Sequence, residues 1–220
     1  MKETFFCSWS GGKDSALSLY KALKSVGEAK KLLTMFGETK SRSRSHNLPL
    51  SLIKAQSISL GIPMITKKAS WQNYEKVFIR TLKEFKDSGI DKGVFGDIDI
   101  NEHKEWEEKV CKKAGIKACL PLWGDDREKL LYDFLNLGFK AVIVVVNEDY
   151  LDKRYLGKVL DKALIKEFKS KGVDPNGEKG EYHSFVIDGP IFNKKINISC
   201  EDKIYHDGYW FQDVKLIKSK

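Results

Sequence analysis

Apolar residues recur along this chain in two alternating rhythms, short strand-like runs and stretches at helical spacing. The first run, over 4–8, holds Phe5, Phe6 and Cys7 and predicts a strand. The stretch 13–25 carries Ala16, Leu17, Leu19, Tyr20 and Leu23 at helical spacing. A second strand is predicted over 31–36, a helix over 48–60, and a strand over 63–66 after the stop signal Gly61. Residues 73–88 read as a helix with Val77, Phe78, Leu82 and Phe85 on one face, followed by a strand over 92–97 and a helix over 102–114. A short apolar run at 118–122 precedes a helix over 126–137 closed by Gly138. Residues 141–146 form an almost unbroken β-branched run, which suits a central parallel strand buried on both faces. Strands alternating with helices predict an α/β fold, a parallel sheet with helices on both faces.

After a helix expected over 155–169 the rhythm changes. Residues 172–190 are rich in glycine and include Pro175 and Pro190. Short strand-like segments follow at 184–187, 195–199, 203–206 and 209–217, with a turn at Asp207-Gly208. The expected organisation is an α/β domain over 1–125 and a second part over 126–220 that is β-rich after about 172.

Composition narrows the function classes. The 220 residues include 39 Lys+Arg against 31 Asp+Glu, a net charge of +8. Such a balance suits nucleic acid, an acidic substrate or a lysine-rich surface. Only five of the basic residues are arginine, the residue suited to forked phosphate and base recognition, so a nucleic-acid partner is disfavoured. No apolar run reaches the length of a membrane span and no signal-peptide core follows Met1, so a cytoplasmic protein without a membrane partner is expected. Cys7, Cys111, Cys119 and Cys200 lack metal-ligand spacing and read as thiols of a reducing compartment.

The most informative segment is Ser8-Trp9-Ser10-Gly11-Gly12-Lys13-Asp14-Ser15, a strand running through a small-residue turn into a helix. Two glycines let the backbone approach an anion closely. The first helical N–H groups carry the positive end of the dipole, Ser10 and Ser15 add hydroxyl donors, and Lys13 adds a full charge. This is a phosphate site, and the spacing is not that of a Walker A loop. Asp14 caps the helix or helps hold a magnesium ion. Asp97, directly after a buried strand, is a candidate magnesium or substrate ligand. Glu178, Glu181 and His183 form a compact acid–base cluster in a glycine-rich loop.

Residues 10–15 resemble the PP-loop of the ATP pyrophosphatases, adenylating enzymes of the adenine nucleotide alpha-hydrolase-like (HUP-type) fold. The succession Ser-Gly-Gly-Lys-Asp-Ser, Gly96-Asp97-Ile98, Pro121-Leu122-Trp123, Gly-Glu-Lys-Gly-Glu-Tyr-His-Ser over 177–184 and Asp-Gly-Pro-Ile-Phe over 188–192 closely resembles the diphthine-ammonia ligase, or diphthamide synthase, family. That resemblance implies an ATP-dependent, AMP-forming ligase that uses ammonium to convert the carboxylate of diphthine, a modified histidine on elongation factor 2, into an amide. It implies ATP binding by Ser8, Ser10, Gly11, Gly12, Lys13, Asp14 and Ser15, and catalysis by Lys13, Asp14, Glu178, Glu181 and His183. Magnesium would be held by Asp14 and Asp97. It also implies a short family form without the additional domains of eukaryotic members. Elongation factor 2 would be the protein partner, and exposed strand edges in the β-rich part would allow a homodimer. If the source makes no diphthamide, the acceptor is another carboxylate. RNA modification by a PP-loop enzyme and a non-catalytic nucleotide sensor are the alternatives. The basic segment 40–47, with Arg42 and Arg44, is expected to be a nucleotide lid, a partner contact or a solvated loop.

Overall fold

The computed structural model describes residues 3–38 and 48–217, so the basic segment 40–47 lies outside the described residues. In chain order the elements are β1 (Thr4–Ser8), α1 (Lys13–Ser25), β2 (Glu28–Gly37), α2 (Leu50–Leu60), β3 (Met64–Ala69), α3 (Tyr74–Asp87), β4 (Lys92–Val94) and α4 (Asn101–Ala114). They continue with β5 (Lys117–Cys119), α5 (Arg127–Asn136), β6 (Lys140–Asn147), a 3-10 turn (Lys153–Tyr155), α6 (Lys162–Ser170), β7 (Tyr182–Asp188), β8 (Ile198–His206) and β9 (Tyr209–Leu216). The described chain divides into two compact units, one of residues 3–10, 14–38 and 61–125, the other of 11–13, 48–60 and 126–217.

The first unit is built on a five-stranded parallel sheet in the order β3-β2-β1-β4-β5. β1 sits at its centre, Cys7 lying between Leu32 of β2 and Val94 of β4. Phe6 packs edge-on against Phe95 and against Phe85 of α3, with ring centroids 5.8 and 5.3 Å away. A side chain at Gly93 would place a Cβ 2.6 Å from the Phe6 ring, so only glycine lets β4 lie beside β1 there. The strand expected over 92–97 ends at Val94. Phe95 still donates its N–H to Cys119, and its carbonyl takes the Ser18 hydroxyl of α1 at 2.5 Å. Gly96 then lies so close to the Asp14–Ser15 peptide that a Cβ would stand 3.0 Å from the Ser15 nitrogen. The exit of β4 is thereby held beside the first turn of α1, at the carboxyl ends of the strands, where open α/β sheets place ligands.

The second unit is built on a four-stranded antiparallel sheet in the order β7-β6-β9-β8. The run 141–146 is a central strand buried from Ala141 to Val146, as its composition implies, but both its neighbours run antiparallel to it. Burial on both faces selects apolar β-branched residues whichever way the neighbours run, so strand direction is not encoded in the run itself. The helix expected over 155–169 is also corrected. Gly157, at φ 81°, breaks it. Residues 157–160 instead bond to β6, through Gly157 and Ile143 and through Leu160 and Ala141. α6 begins only after Asp161, whose carboxylate accepts the Leu164 N–H at 2.8 Å as an N-cap. The segments 195–199 and 203–206 fuse into the single edge strand β8, with a bulge between Cys200 and Lys203. α2 is tied to this unit by Ser59, whose hydroxyl donates to the Lys194 carbonyl, and by Gln56. Among the described residues no helix is long and apolar enough to cross a membrane.

Candidate active site

Gly11 turns the chain with φ 85°, a conformation that glycine adopts without steric cost. Its carbonyl accepts the Val186 N–H at 2.9 Å and the Gln56 amide at 3.0 Å, and the same amide nitrogen donates to the Val186 carbonyl at 2.7 Å. A Cβ on Gly11 would come within 2.7 Å of Gln56 Oε1 and 2.9 Å of Ile53 Cδ1. One buried glutamine thus fastens the glycine turn to β7. Lys13, the first residue of α1, is buried, and its backbone N–H donates to Ser184 Oγ at 3.3 Å. The sequence reading leaves that N–H to a ligand; in the structure a hydroxyl from the 177–184 motif shares it.

The same motif surrounds the Lys13 side chain. Its Nζ stands 3.6 Å from Glu178 Oε1 and 5.9 Å from the centre of the Tyr182 ring. The Tyr182 hydroxyl donates to the Pro175 carbonyl at 2.7 Å, closing the loop 175–182 on itself. Gly177, at φ 75°, makes room for this closure, since a Cβ would lie 3.0 Å from the Tyr182 carbonyl oxygen. Glu181 is 1% exposed and accepts the Lys179 N–H at 2.8 Å. Burial, and then the positive charge of Lys13, push the His183 imidazole down to about 4, so it is neutral at physiological pH. Lys13, Glu178 and His183 therefore gather within the second unit, a lysine facing a carboxylate with a neutral imidazole as neighbour, while Glu181 is held by the loop's own backbone.

Ser8, Ser10, Asp14 and Ser15 belong to the first unit, as does Asp97. Trp9 is anchored there, its N–H bonded to the Leu33 carbonyl at 2.8 Å and its own carbonyl accepting the Thr34 hydroxyl at 2.7 Å. Ser10 Oγ donates to Ser15 Oγ at 3.1 Å. Asp14 lies in the first turn of α1, where a carboxylate is favoured by the helix dipole. Asp97 Oδ1 is 2.6 Å from His103 Nδ1 on α4, and Asp97 neighbours Glu107, whose Oε2 is buried with no hydrogen-bond partner. Glu107 is 5% exposed, and burial followed by the neighbouring Asp97 pushes its carboxyl up to about 11. Burial disfavours the charged form, so Glu107 keeps its proton. Among the described residues no three His, Cys, Asp or Glu side chains converge as a metal site.

Models of two family domains divide the chain between them. The diphthamide synthase N-terminal domain matches residues 3–118, and the diphthamide synthase C-terminal domain matches residues 126–219. The chain belongs to the diphthamide synthase family. Diphthine–ammonia ligase of Schizosaccharomyces pombe is 29% identical over 222 residues, an alignment covering 90% of this chain and 36% of that protein. The human diphthine–ammonia ligase is 28% identical over 176 residues, covering 78% of this chain and 66% of its own length. The chain thus spans about a third of the yeast relative and just under two thirds of the human one. A crystal structure of a predicted subunit of tRNA methyltransferase from Methanocaldococcus jannaschii is 19% identical with a TM-score of 0.49, over 88% of this chain and 100% of that one.

Within this family member, several site residues escape sequence reading. Gln56 stands in the middle of an amphipathic helix, and its role depends on Gly11 and Val186, 45 and 130 residues away. Ser184 reads as one polar position in a strand. Glu107 carries the signal of a charged residue on the buried side of a helix, which sequence alone does not distinguish from a solvated one.

Proposed function

We propose that this chain is an ATP-dependent ligase that converts the carboxylate of diphthine on elongation factor 2 into an amide, with ammonium as nitrogen donor and AMP and pyrophosphate as products. The observation that carries the reading is the meeting of the two motifs at one lysine: Lys13 of the glycine loop faces Glu178 and lies beside His183 and Tyr182. Both diphthamide synthase domain models match this chain, and relatives named diphthine–ammonia ligase align with 90% and 78% of it. A cytoplasmic reaction is part of this proposal, and the free thiols Cys7, Cys111, Cys119 and Cys200 suit a reducing compartment.

In this reading Ser8, Ser10, Gly11, Gly12, Lys13, Asp14 and Ser15 hold ATP, the Gly-Gly turn and the start of α1 receiving phosphate oxygens. Lys13 keeps its charge next to the leaving pyrophosphate, where negative charge accumulates as the acceptor carboxylate attacks the α-phosphorus. That step forms an acyl–O–phosphorus bond and breaks the bond to pyrophosphate. Ammonium gives up one proton to solvent, the resulting ammonia attacks the activated carbonyl, a carbon–nitrogen bond forms as the carbonyl–oxygen bond to AMP breaks, and a second proton passes to solvent. Glu178 and Glu181 accept hydrogen bonds from the incoming nitrogen, and neutral His183 adds no second cation beside Lys13. Asp14 and Asp97 would hold a magnesium ion bound with ATP, which would neutralise phosphate charge.

The test is product analysis with ATP, ammonium and diphthine-bearing elongation factor 2. AMP and pyrophosphate are expected, and Lys13→Ala is expected to abolish their formation. ADP as the only nucleotide product would overturn the reading.

A further inference from the structure

Asn176 stands out in the loop that meets Lys13. It is 1% exposed, and its Oδ1 is buried with no hydrogen-bond partner. A buried unpaired carbonyl costs stability, and an apolar side chain of similar volume would not. Packing therefore does not account for an amide here. What the amide supplies is a donor: Nδ2 bonds Glu178 Oε1 at 2.8 Å, on the same oxygen that stands 3.6 Å from Lys13 Nζ. A carboxylate is an acceptor on all sides, so a fixed donor on Oε1 sets its rotamer at the lysine.

Asn176 is itself held. Its backbone N–H donates to Asp174 Oδ1 at 2.9 Å, and Asp174 Oδ2 accepts Arg127 Nη1 of α5 at 2.5 Å. The result is a polar chain Arg127–Asp174–Asn176–Glu178–Lys13 that runs within one unit from the start of a helix to the glycine loop. We propose that Asn176 is a positioning residue of the ligase reaction, holding the Glu178 carboxylate at Lys13, with the Arg127–Asp174 pair holding Asn176 in turn. The proposal rests on the reading above, in which Lys13 serves the nucleotide.

Two substitutions test it in the full chain, with AMP formation and thermal unfolding read side by side. Asn176→Leu removes the donor together with the orphaned oxygen. It is expected to leave the melting temperature unchanged or raised while kcat/KM falls about tenfold or more, the effect of losing a hydrogen bond to a charged group. Asn176→Asp keeps the shape but faces Glu178 with a second carboxyl group. Its activity relative to the parent is expected to be lowest at pH 8 and to recover toward pH 6, where the introduced carboxyl regains a proton to donate. Asn176→Leu with kcat/KM within about twofold of the parent, or an Asn176→Asp deficit constant across pH, overturns the proposal. If the parent forms no AMP, the ligase reading itself fails and takes the proposal with it. If the parent turns over normally and both variants match it, only the positioning role falls.

Discussion

Replacing Glu107 by glutamine should stabilise this protein at neutral pH. Glu107 is 5% exposed and keeps its proton, its carboxyl pushed from the ordinary 4.5 to about 11 by burial and by Asp97. A carboxyl whose folded value is raised holds a proton that the unfolded chain releases once the pH exceeds 4.5. Its contribution to stability is therefore fully present below pH 4.5 and is lost as the pH rises toward 11. At roughly 1.4 kcal/mol per pH unit, about 3 kcal/mol is already lost at pH 7, provided only that the folded value lies above 7. Glutamine is isosteric with the protonated acid and, like it, buries no charge. It has no proton to lose, although its second amide hydrogen needs a partner, at a cost of about 1 kcal/mol or more. Glu107→Gln should therefore gain about 1–2 kcal/mol at pH 7, raising the melting temperature by several degrees in a chain of this size. The gain should vanish near pH 5 and grow toward pH 8. Urea or thermal unfolding of parent and variant at the three pH values measures the difference, which cancels other titrating groups. A variant less stable than the parent by a margin that widens with pH would refute the reasoning, because it would mean that Glu107 is ionised and held by a favourable pairing.

Two further substitutions follow from the loop. Gly11→Ala forces a side chain into φ 85° and a Cβ to 2.7 Å from Gln56 Oε1, so it should cost about 2 kcal/mol or more and weaken ATP binding, read by unfolding and by equilibrium dialysis of ATP. An alanine variant of parental stability would show that the turn is not held as described. His183, lowered from 6.5 to about 4, is protonated first in the unfolded chain as the pH falls, so its contribution is present above pH 6.5 and is lost by about pH 4, up to about 3 kcal/mol. In His183→Gln that part of the acid dependence should be missing, and identical acid profiles for parent and variant would contradict a neutral buried imidazole.

The glycine turn between β1 and α1 was legible in the sequence because its signal is local: the glycines, hydroxyls and lysine fall in six adjacent residues at a strand-to-helix junction. The parallel sheet was legible from strands alternating with helices. Strand direction at 141–146 was not, because Val142 to Val146 are buried in the same way beside antiparallel neighbours as beside parallel ones. The break at Gly157 was hidden because the apolar spacing of 155–169 continues across it, and only the bonds of residues 157–160 to β6 show why the backbone cannot be helical there. Glu178, Glu181 and His183 were legible as a cluster because they are close in sequence. Their encounter with Lys13 was not, since it spans more than 160 residues and depends on Gln56 and Ser184 tying the loop to β7. Asn176 and Glu107 gave no distinct signal, because a polar residue becomes informative only when its burial is known.

Transfer of isotope-labelled ammonium nitrogen to diphthine on elongation factor 2, followed by mass spectrometry of the modified peptide, tests the central claim most directly. The label should appear in the peptide only when ATP is present and AMP is formed, and it should be absent with Lys13→Ala. AMP formed without label in the peptide, or label incorporated equally by Lys13→Ala, would contradict a ligase built on the glycine loop.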